Sequence, residues 1–496
     1  MDTFVTDPVV AGTDAGTGAD RAWLARIPLA IGLAATLAIA IRPANDPDLW
    51  WHLATGRYIV GTGAIPREDV FSFTAAGHRW VTHEWLSDLM LYGGFRWLGL
   101  NGLALVFAAI ITGSVALVYL RCRARPVIAA GSLLLGAAAT GMTWGVRPQV
   151  FTIMFVALFL HILEGGQGPK GRKLWVLPPL ALVWGNLHSG FVAGLAIMAV
   201  VTLGELLKWW RNWRPGLPLV SPGVWRLCLV WVACAACSLV TPNGIEAALF
   251  PFGTLSSRTI QSHIQEWQSP NFHEHYTWPL LLFWLALLGV ATASPRRIGV
   301  TRLLLLLGST VATCYSARHV VFLGLVGAPV LAEQAEALLP AVQPARRTVA
   351  RPMKAVVALA MAALAVGVGV RARELYLPRS AVAAQYPEAA VAYMEREDVR
   401  GRVFNTYHWG GYLIWHGYQV FADGRAEVYG DRVLEQYITV QNLRPGWRSV
   451  LADYRVDAVL VETDSPLAVL LSETKDWREA YRDRLATLFL VRGNGE

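Results

Sequence analysis

Up to about residue 370 the chain runs as apolar stretches of 16–22 residues separated by short basic clusters. A bilayer core is crossed by roughly 20 apolar residues in a helix. The pattern predicts eleven helical spans, at 24–41, 100–120, 126–144, 149–164, 174–187, 190–207, 225–241, 277–293, 303–317, 319–335 and 354–370. Two intervals, 42–99 and 241–276, are too long to be plain connectors, and loops of that length usually carry function. After residue 371 the pattern changes to mixed charge broken by short apolar runs such as Ala458-Val459-Leu460-Val461, which suit buried strands. Strands are expected at 402–406, 418–422, 456–462 and 486–492, with helices at 386–397, 409–416, 430–441 and 446–453. The expected fold class is an α-helical polytopic membrane domain (21–370) followed by a small C-terminal α/β domain (371–496). Residues 1–20 are rich in Gly, Thr, Asp and Ala, lack the apolar run of a cleaved signal, and read as a disordered cytoplasmic tail.

Charge orients this layout. Only 16% of the 496 residues are charged, against about 25% in soluble proteins. The net charge is +8, yet residues 371–496 carry 16 Lys/Arg and 18 Asp/Glu, so the excess lies in the membrane part. With the N-terminus inside, 19 of the 27 basic residues before 371 fall in internal loops, as positive loops stay cytoplasmic. Eleven crossings then make 42–99 and 241–276 external and the C-terminal domain extracytoplasmic, in a plasma (inner) membrane. Basic residues confined to loop clusters argue against a nucleic-acid partner. The five cysteines offer no disulfide framework; Cys234 and Cys237 form a CxxC inside an apolar run and read as packing.

The long first loop carries the densest chemistry. It opens with Asn45-Asp46-Pro47-Asp48-Leu49-Trp50-Trp51-His52, two acids just outside the membrane where a helix restarts. An Asp there can cap the helix. A carboxylate at that position also suits a general base or a metal ligand. Downstream come Gly63-Ala64-Ile65-Pro66 and then His83-Glu84. This order resembles membrane glycosyltransferases of the GT-C superfamily, which have an acidic pair after the first helix, an amphipathic helix, a Gly-x-x-x-Pro-like turn and a polar loop. Their common Asp-Glu form is replaced here by Asp46-Pro47-Asp48, which leaves open which acid acts. Tyr407-His408-Trp409-Gly410-Gly411-Tyr412 faintly resembles the aromatic-Gly-Tyr signature of oligosaccharyltransferase catalytic subunits, and Asp423-Gly424-Arg425-Ala426-Glu427-Val428-Tyr429 follows it. A tight strand-to-helix packing is the alternative reading of these glycines.

The resemblance implies transfer of a sugar, with inversion, from a polyprenyl-phosphate donor to a glycan, lipid or protein acceptor on the external face. Asp48 would be the base, with Asp46, His83 and Glu84 as further catalytic candidates. His52, Arg147, Asn186, His188, Glu266, Arg318, His319, Tyr412 and Arg425 are candidates for substrate binding. Charge at membrane depth is costly and often functional, and Arg147 and Arg318 could pair with a lipid phosphate. If a divalent metal such as Mg2+ or Mn2+ takes part, Asp48 with Asp46 or Glu266 would supply hard oxygen ligands. Two other readings stand beside the enzyme. A transporter or lipid flippase predicts acids along mid-helix and paired repeats, and neither is visible. A non-catalytic envelope assembly protein with a degenerate site is the third.

Overall fold

The structure is a computed structural model that describes residues 15–165, 171–340, 351–376 and 385–492. Every one of the eleven expected spans falls on a helix. In chain order the helices are α1 (Ala15–Ala40), α2 (Leu49–Thr62), α3 (Trp85–Tyr119), α4 (Pro126–Thr140), α5 (Gln149–Glu164), α6 (Leu177–Leu187) and α7 (Phe191–Arg211). They continue as α8 (Pro222–Ser238), α9 (Ile245–Ser256), α10 (Arg258–His263), α11 (Trp278–Ala293), α12 (Val300–Tyr315), α13 (Val320–Ala337) and α14 (Arg351–Tyr376). Five helical stretches are by themselves long and apolar enough to cross a bilayer: Trp85–Tyr119, Pro126–Thr143, Phe191–Arg211, His275–Ala293 and Ala317–Ala337. Shorter apolar helices, including Gln149–Glu164 and Val300–Tyr315, pack among them.

Three expectations are corrected here. Helix formation starts at Ala15, so part of the expected 1–20 tail is helical, and residues 1–14 lie outside the described residues. The first loop ends at Glu84 rather than Gly99, because Trp85–Leu98 is already helical and joins the predicted span through a kink at Gly99 (φ 66°), a left-handed conformation that favours glycine. Asp88, within that stretch, is fully buried against α2. The second loop is likewise structured, by α9 and α10.

At the opposite end of the bundle from these loops, glutamates hold the basic residues. Arg302 bridges Glu164 at 3.2 Å and Glu333 at 2.5 Å, Arg121 pairs with Glu164 at 2.9 Å, and Arg125 pairs with Glu336 at 2.6 Å. These pairs tie α3, α5, α12 and α13 together.

The C-terminal domain begins with α15 (Glu388–Arg396) and is built on β1 (Arg402–Asn405), β2 (Gln419–Val420), β3 (Ala458–Glu462), β4 (Trp477–Arg482) and β5 (Ala486–Val491). The sheet order is β2-β1-β3-β5-β4. β1 lies parallel to both β2 and β3, while β5 runs antiparallel to β3 and β4. Helices α16 (Gly410–Trp415), α17 (Ala426–Gln441), α18 (Trp447–Asp453) and α19 (Pro466–Ser472) connect and cover it. The central strand β3 is buried from Ala458 to Val461, which its unbroken apolar run foretold. β4 and α19 were not expected: β4 is an edge strand whose sequence WREAYR is dominated by exposed charge, and α19 is only seven residues long.

The first loop completes this domain. Phe73 donates its N–H to Val420 O at 3.3 Å and Val420 donates to Phe71 O at 3.4 Å, so the loop adds to the open edge of β2. Trp50 of α2 packs edge-on against Tyr412 at 5.0 Å and Tyr386 at 5.6 Å. Beneath them Arg425, fully buried, donates to Asp69 at 2.7 Å and to both oxygens of Asp423 at 2.8 and 2.6 Å, with Phe71 and Trp80 stacked over its guanidinium. Tyr429 donates its hydroxyl to Asp423 as well.

Candidate active site

Between the helix ends and the C-terminal domain lies a cavity of about 750 Å³. Val192, Ala193, Phe250, Leu255, Val321 and Phe322 give it apolar lining. The rest of the lining is dense in charge. Asp46 and Asp48 come from the turn between α1 and α2, Arg147 from the turn before α5, Glu266 from the turn after α10, and Arg318 from the turn between α12 and α13. Six of the chain's eleven histidines also line it: His52, His83, His188, His263, His319 and His408.

Arg147 organises the acids. Its Nε lies 3.2 Å from Asp46 Oδ2, its Nη2 2.9 Å from Asp48 Oδ2 and its Nη1 2.5 Å from Glu266 Oε1. The guanidinium thus meets a different carboxylate at each nitrogen, using the fixed fork that arginine provides. Asp48 stands at the N-cap of α2, yet its carboxylate caps nothing. Its Oδ1 instead accepts from Trp51 Nε1 at 3.2 Å, and its own N–H donates to Asp46 Oδ1 at 3.0 Å. The capping explanation for Asp48 therefore gives way to an ion-pair role. Burial pushes Asp46 up to about 6, with Asp48 and Glu266 adding to the rise and Arg147 opposing it. Burial would raise Glu266 too, but Arg147 and Arg318 outweigh it and hold that carboxyl near about 2.

A second cluster surrounds Glu84. His188 Nε2 lies 3.3 Å from Glu84 Oε1, His83 Nε2 3.6 Å from the same oxygen, and His52 Nε2 3.8 Å from Oε2. His188 Nδ1 accepts from Gly190 N at 2.8 Å, so its proton sits on Nε2 facing Glu84. Burial pushes His188 down to about 3 and keeps it neutral. His52 and His83 are raised despite burial, the first mainly by Asp88, whose Oδ1 is 2.6 Å from its Nδ1, and the second by Glu84. Against its own burial, Glu84 is held well below the usual carboxylate range by His83, His52 and His188. The imidazoles around Glu84 thus favour its ionised form.

Three sequence candidates lie outside the cavity wall. Asn186 accepts from Trp85 Nε1 at 3.0 Å and donates to Val240 O at 2.9 Å, joining α3, α6 and the end of α8. Tyr412 is core, packed between Trp50 and Tyr386. Arg425 is sealed in the ion network beneath the sheet edge, with no exposure to a substrate. Sequence reasoning passed over Tyr407, Glu427 and Asp88. Tyr407 and Glu427 both lie in the quoted C-terminal stretches and line the cavity, and burial raises the Glu427 carboxyl. No sequence signal links Asp88 to His52 across 36 positions.

The C-terminal domain roofs the acids. A Cβ on Gly424 would stand 1.8 Å from Asp48 Oδ1, so only glycine permits this approach.

No family model and no curated protein matches the chain. Among solved structures it is similar to the oligosaccharyltransferase of Archaeoglobus fulgidus in its apo form, with 12% identity and a TM-score of 0.50 over 88% of this chain and 69% of that one. The likeness is one of fold. Two further similarities are ArnT from Cupriavidus metallidurans bound to undecaprenyl phosphate (13% identity, TM-score 0.48, 94% of this chain and 98% of that one) and the mycobacterial arabinofuranosyltransferase AftD (14% identity, TM-score 0.47, 96% and 40%). The acidic pair after the first helix, the turn bearing Glu266 and the C-terminal domain meet at one cavity in this chain.

The geometry of the acids bears on whether they could hold a metal. Asp46, Asp48 and Glu266 are the hard oxygen donors at hand, but all three turn to Arg147. Among the described residues no group of three or more His, Cys, Asp or Glu is placed to hold a metal ion. The expected pairing of Asp48 with Glu266 around a divalent ion does not fit this arrangement.

Proposed function

We propose that this chain is a membrane glycosyltransferase that moves a sugar from a polyprenyl-phosphate donor to a nucleophilic acceptor on the extracytoplasmic face. The observation that carries it is one cavity whose lining joins apolar side chains with Asp48 and Arg318. A lipid-phosphate sugar has the same division, an isoprenoid tail beside an anionic headgroup.

In this reading the acceptor hydroxyl attacks the anomeric carbon from the side opposite the phosphate. A new C–O bond forms, the bond from the anomeric carbon to phosphate breaks, and the configuration inverts. The hydroxyl proton passes to Asp48, the more open of the two acids, its side chain 25% exposed against 14% for Asp46. The electron pair leaves with the phosphate, and Arg318 stabilises that charge. Arg147 is committed to carboxylates, whereas Arg318 has only a 3.9 Å approach to Glu266 and a face-on contact with Trp267 at 5.0 Å. Arg318 is therefore the guanidinium free to take a phosphate.

Arg318→Ala is expected to weaken polyprenyl-phosphate binding by roughly 10–100-fold, the loss of about 1.5–3 kcal/mol for a hydrogen bond to a charged group. Arg318→Lys should recover part of it, because the ammonium keeps the charge and loses the fork. Thermal stabilisation of the purified protein by added lipid phosphate reads both. Equal stabilisation of wild type and Arg318→Ala would move the phosphate elsewhere.

The side of the membrane has its own test. A cysteine at Val469, exposed on α19, should react with an impermeant thiol reagent in spheroplasts, and one at Leu219, exposed between α7 and α8, should not. The reverse pattern would invert the orientation and the face on which transfer occurs.

A further inference from the structure

We propose that the guanidinium of Arg147 stands in for a divalent cation, so that the acidic cluster is held together without a metal. This deepens the transferase reading and rests on it only for its activity arm.

Three carboxylates from two separate loops converge, and without a cation they would repel one another in a partly buried site. Each is met by a different nitrogen of Arg147, at 3.2, 2.9 and 2.5 Å. A divalent ion bound by the same oxygens needs them at about 2.0–2.6 Å. Its centre would fall where the guanidinium now lies, so the two cations exclude each other. Arg318 lies 3.9 Å from Glu266 and adds a further positive charge that a metal would have to approach. The Arg147 side chain is only 12% exposed and is held by the turn into α5, where Val150 N donates to Arg147 O at 3.1 Å. It is an integral part of the site rather than a surface group folded in. Arg147 is accordingly a positioning residue: it sets the orientation of Asp48 and leaves the phosphate to Arg318.

The test uses the full chain purified in detergent, with Mn2+ as the probe and electron paramagnetic resonance as the readout. Wild type should bind no stoichiometric Mn2+, and its transfer should be unchanged by EDTA or added Mg2+. Arg147→Met keeps an unbranched stem and removes the guanidinium with its charge. It should gain one Mn2+ site, of roughly 10⁻⁴–10⁻³ M as for weak carboxylate sites, and adding Asp48→Asn or Glu266→Gln should abolish that site. One Mn2+ bound by wild type and lost in Asp48→Asn would overturn the proposal. So would a folded Arg147→Met that binds none, because the acids would then not converge on that point. Should Arg147→Met fail to fold, the wild-type titration decides alone. The Mn2+ readings hold whether or not the chain transfers sugar, so a failure here is distinct from a failure of the transferase reading.

Discussion

Asp48→Asn should lower sugar transfer roughly 10²–10⁴-fold, the usual cost of losing a general base, with expression and lipid-phosphate binding preserved. Asn is close in shape and leaves an oxygen for Arg147 Nη2, now 2.9 Å from Asp48. It cannot accept a proton at neutral pH. Because the Asp48 carboxylate caps no backbone N–H, the loss cannot be ascribed to a frayed α2. Asp46→Asn should cost less. Asp46 is deeper, and its Oδ1 is taken by the N–H of Asp48, so it shapes the turn that presents Asp48. Membranes carrying each variant, supplied with labelled polyprenyl-phosphate sugar, give the comparison. A larger loss in Asp46→Asn would transfer the role of base within the pair. Near-wild-type incorporation in both single variants and in the double would remove the pair from the chemistry.

Arg425→Met should destabilise the folded protein by about 3–5 kcal/mol, the range for breaking one partner out of a buried ion pair. Asp69 and Asp423, both fully buried, would be left facing each other without a counter-charge. The effect should reach beyond the C-terminal domain, because Asp69 belongs to the first loop. Arg425→Lys should recover little, since an ammonium cannot serve two carboxylates and two stacked rings in one plane. Unfolding midpoints measured in detergent decide this. A midpoint unchanged in Arg425→Met would show that the network does not hold the loop to the domain. Lipid-phosphate affinity of the surviving folded fraction should stay near wild type, which separates this role from direct substrate binding.

The membrane part was legible because hydrocarbon imposes one solution on the backbone, and an apolar run of fixed length announces it. The same rule could not see Trp85–Leu98, where Asp88 interrupts the run but turns inward to His52 at 2.6 Å. The buried strands were visible as apolar runs; β4 was hidden because an edge strand presents charge on purpose. Within the site, sequence pointed to Asp46, Asp48, Arg147, Glu266 and Arg318 as individual polar residues near one face. It could not say that Arg147 is shared by three acids, nor that Arg425 is walled off from the cavity, because both depend on contacts between segments far apart in the chain. Glu84 shows the same limit: its neighbour His83 was visible, but the pull of His52 and His188 was not.

The union of the first loop with the C-terminal domain also bears on how the molecule is made. Asp69 and Arg425 are 356 positions apart. At about 5–20 residues per second of synthesis, the loop must wait roughly 20–70 s for its partner to be translated. Throughout that interval the acids lack their roof, and Trp50 and Trp80 lack the surfaces that bury them in the finished fold. A chain that stops before residue 419 lacks Gly424, which lies over Asp48, and Arg425, which holds Asp69. On the proposed reading, a chain cut before the C-terminal domain should transfer no sugar, because nothing closes over its acid pair.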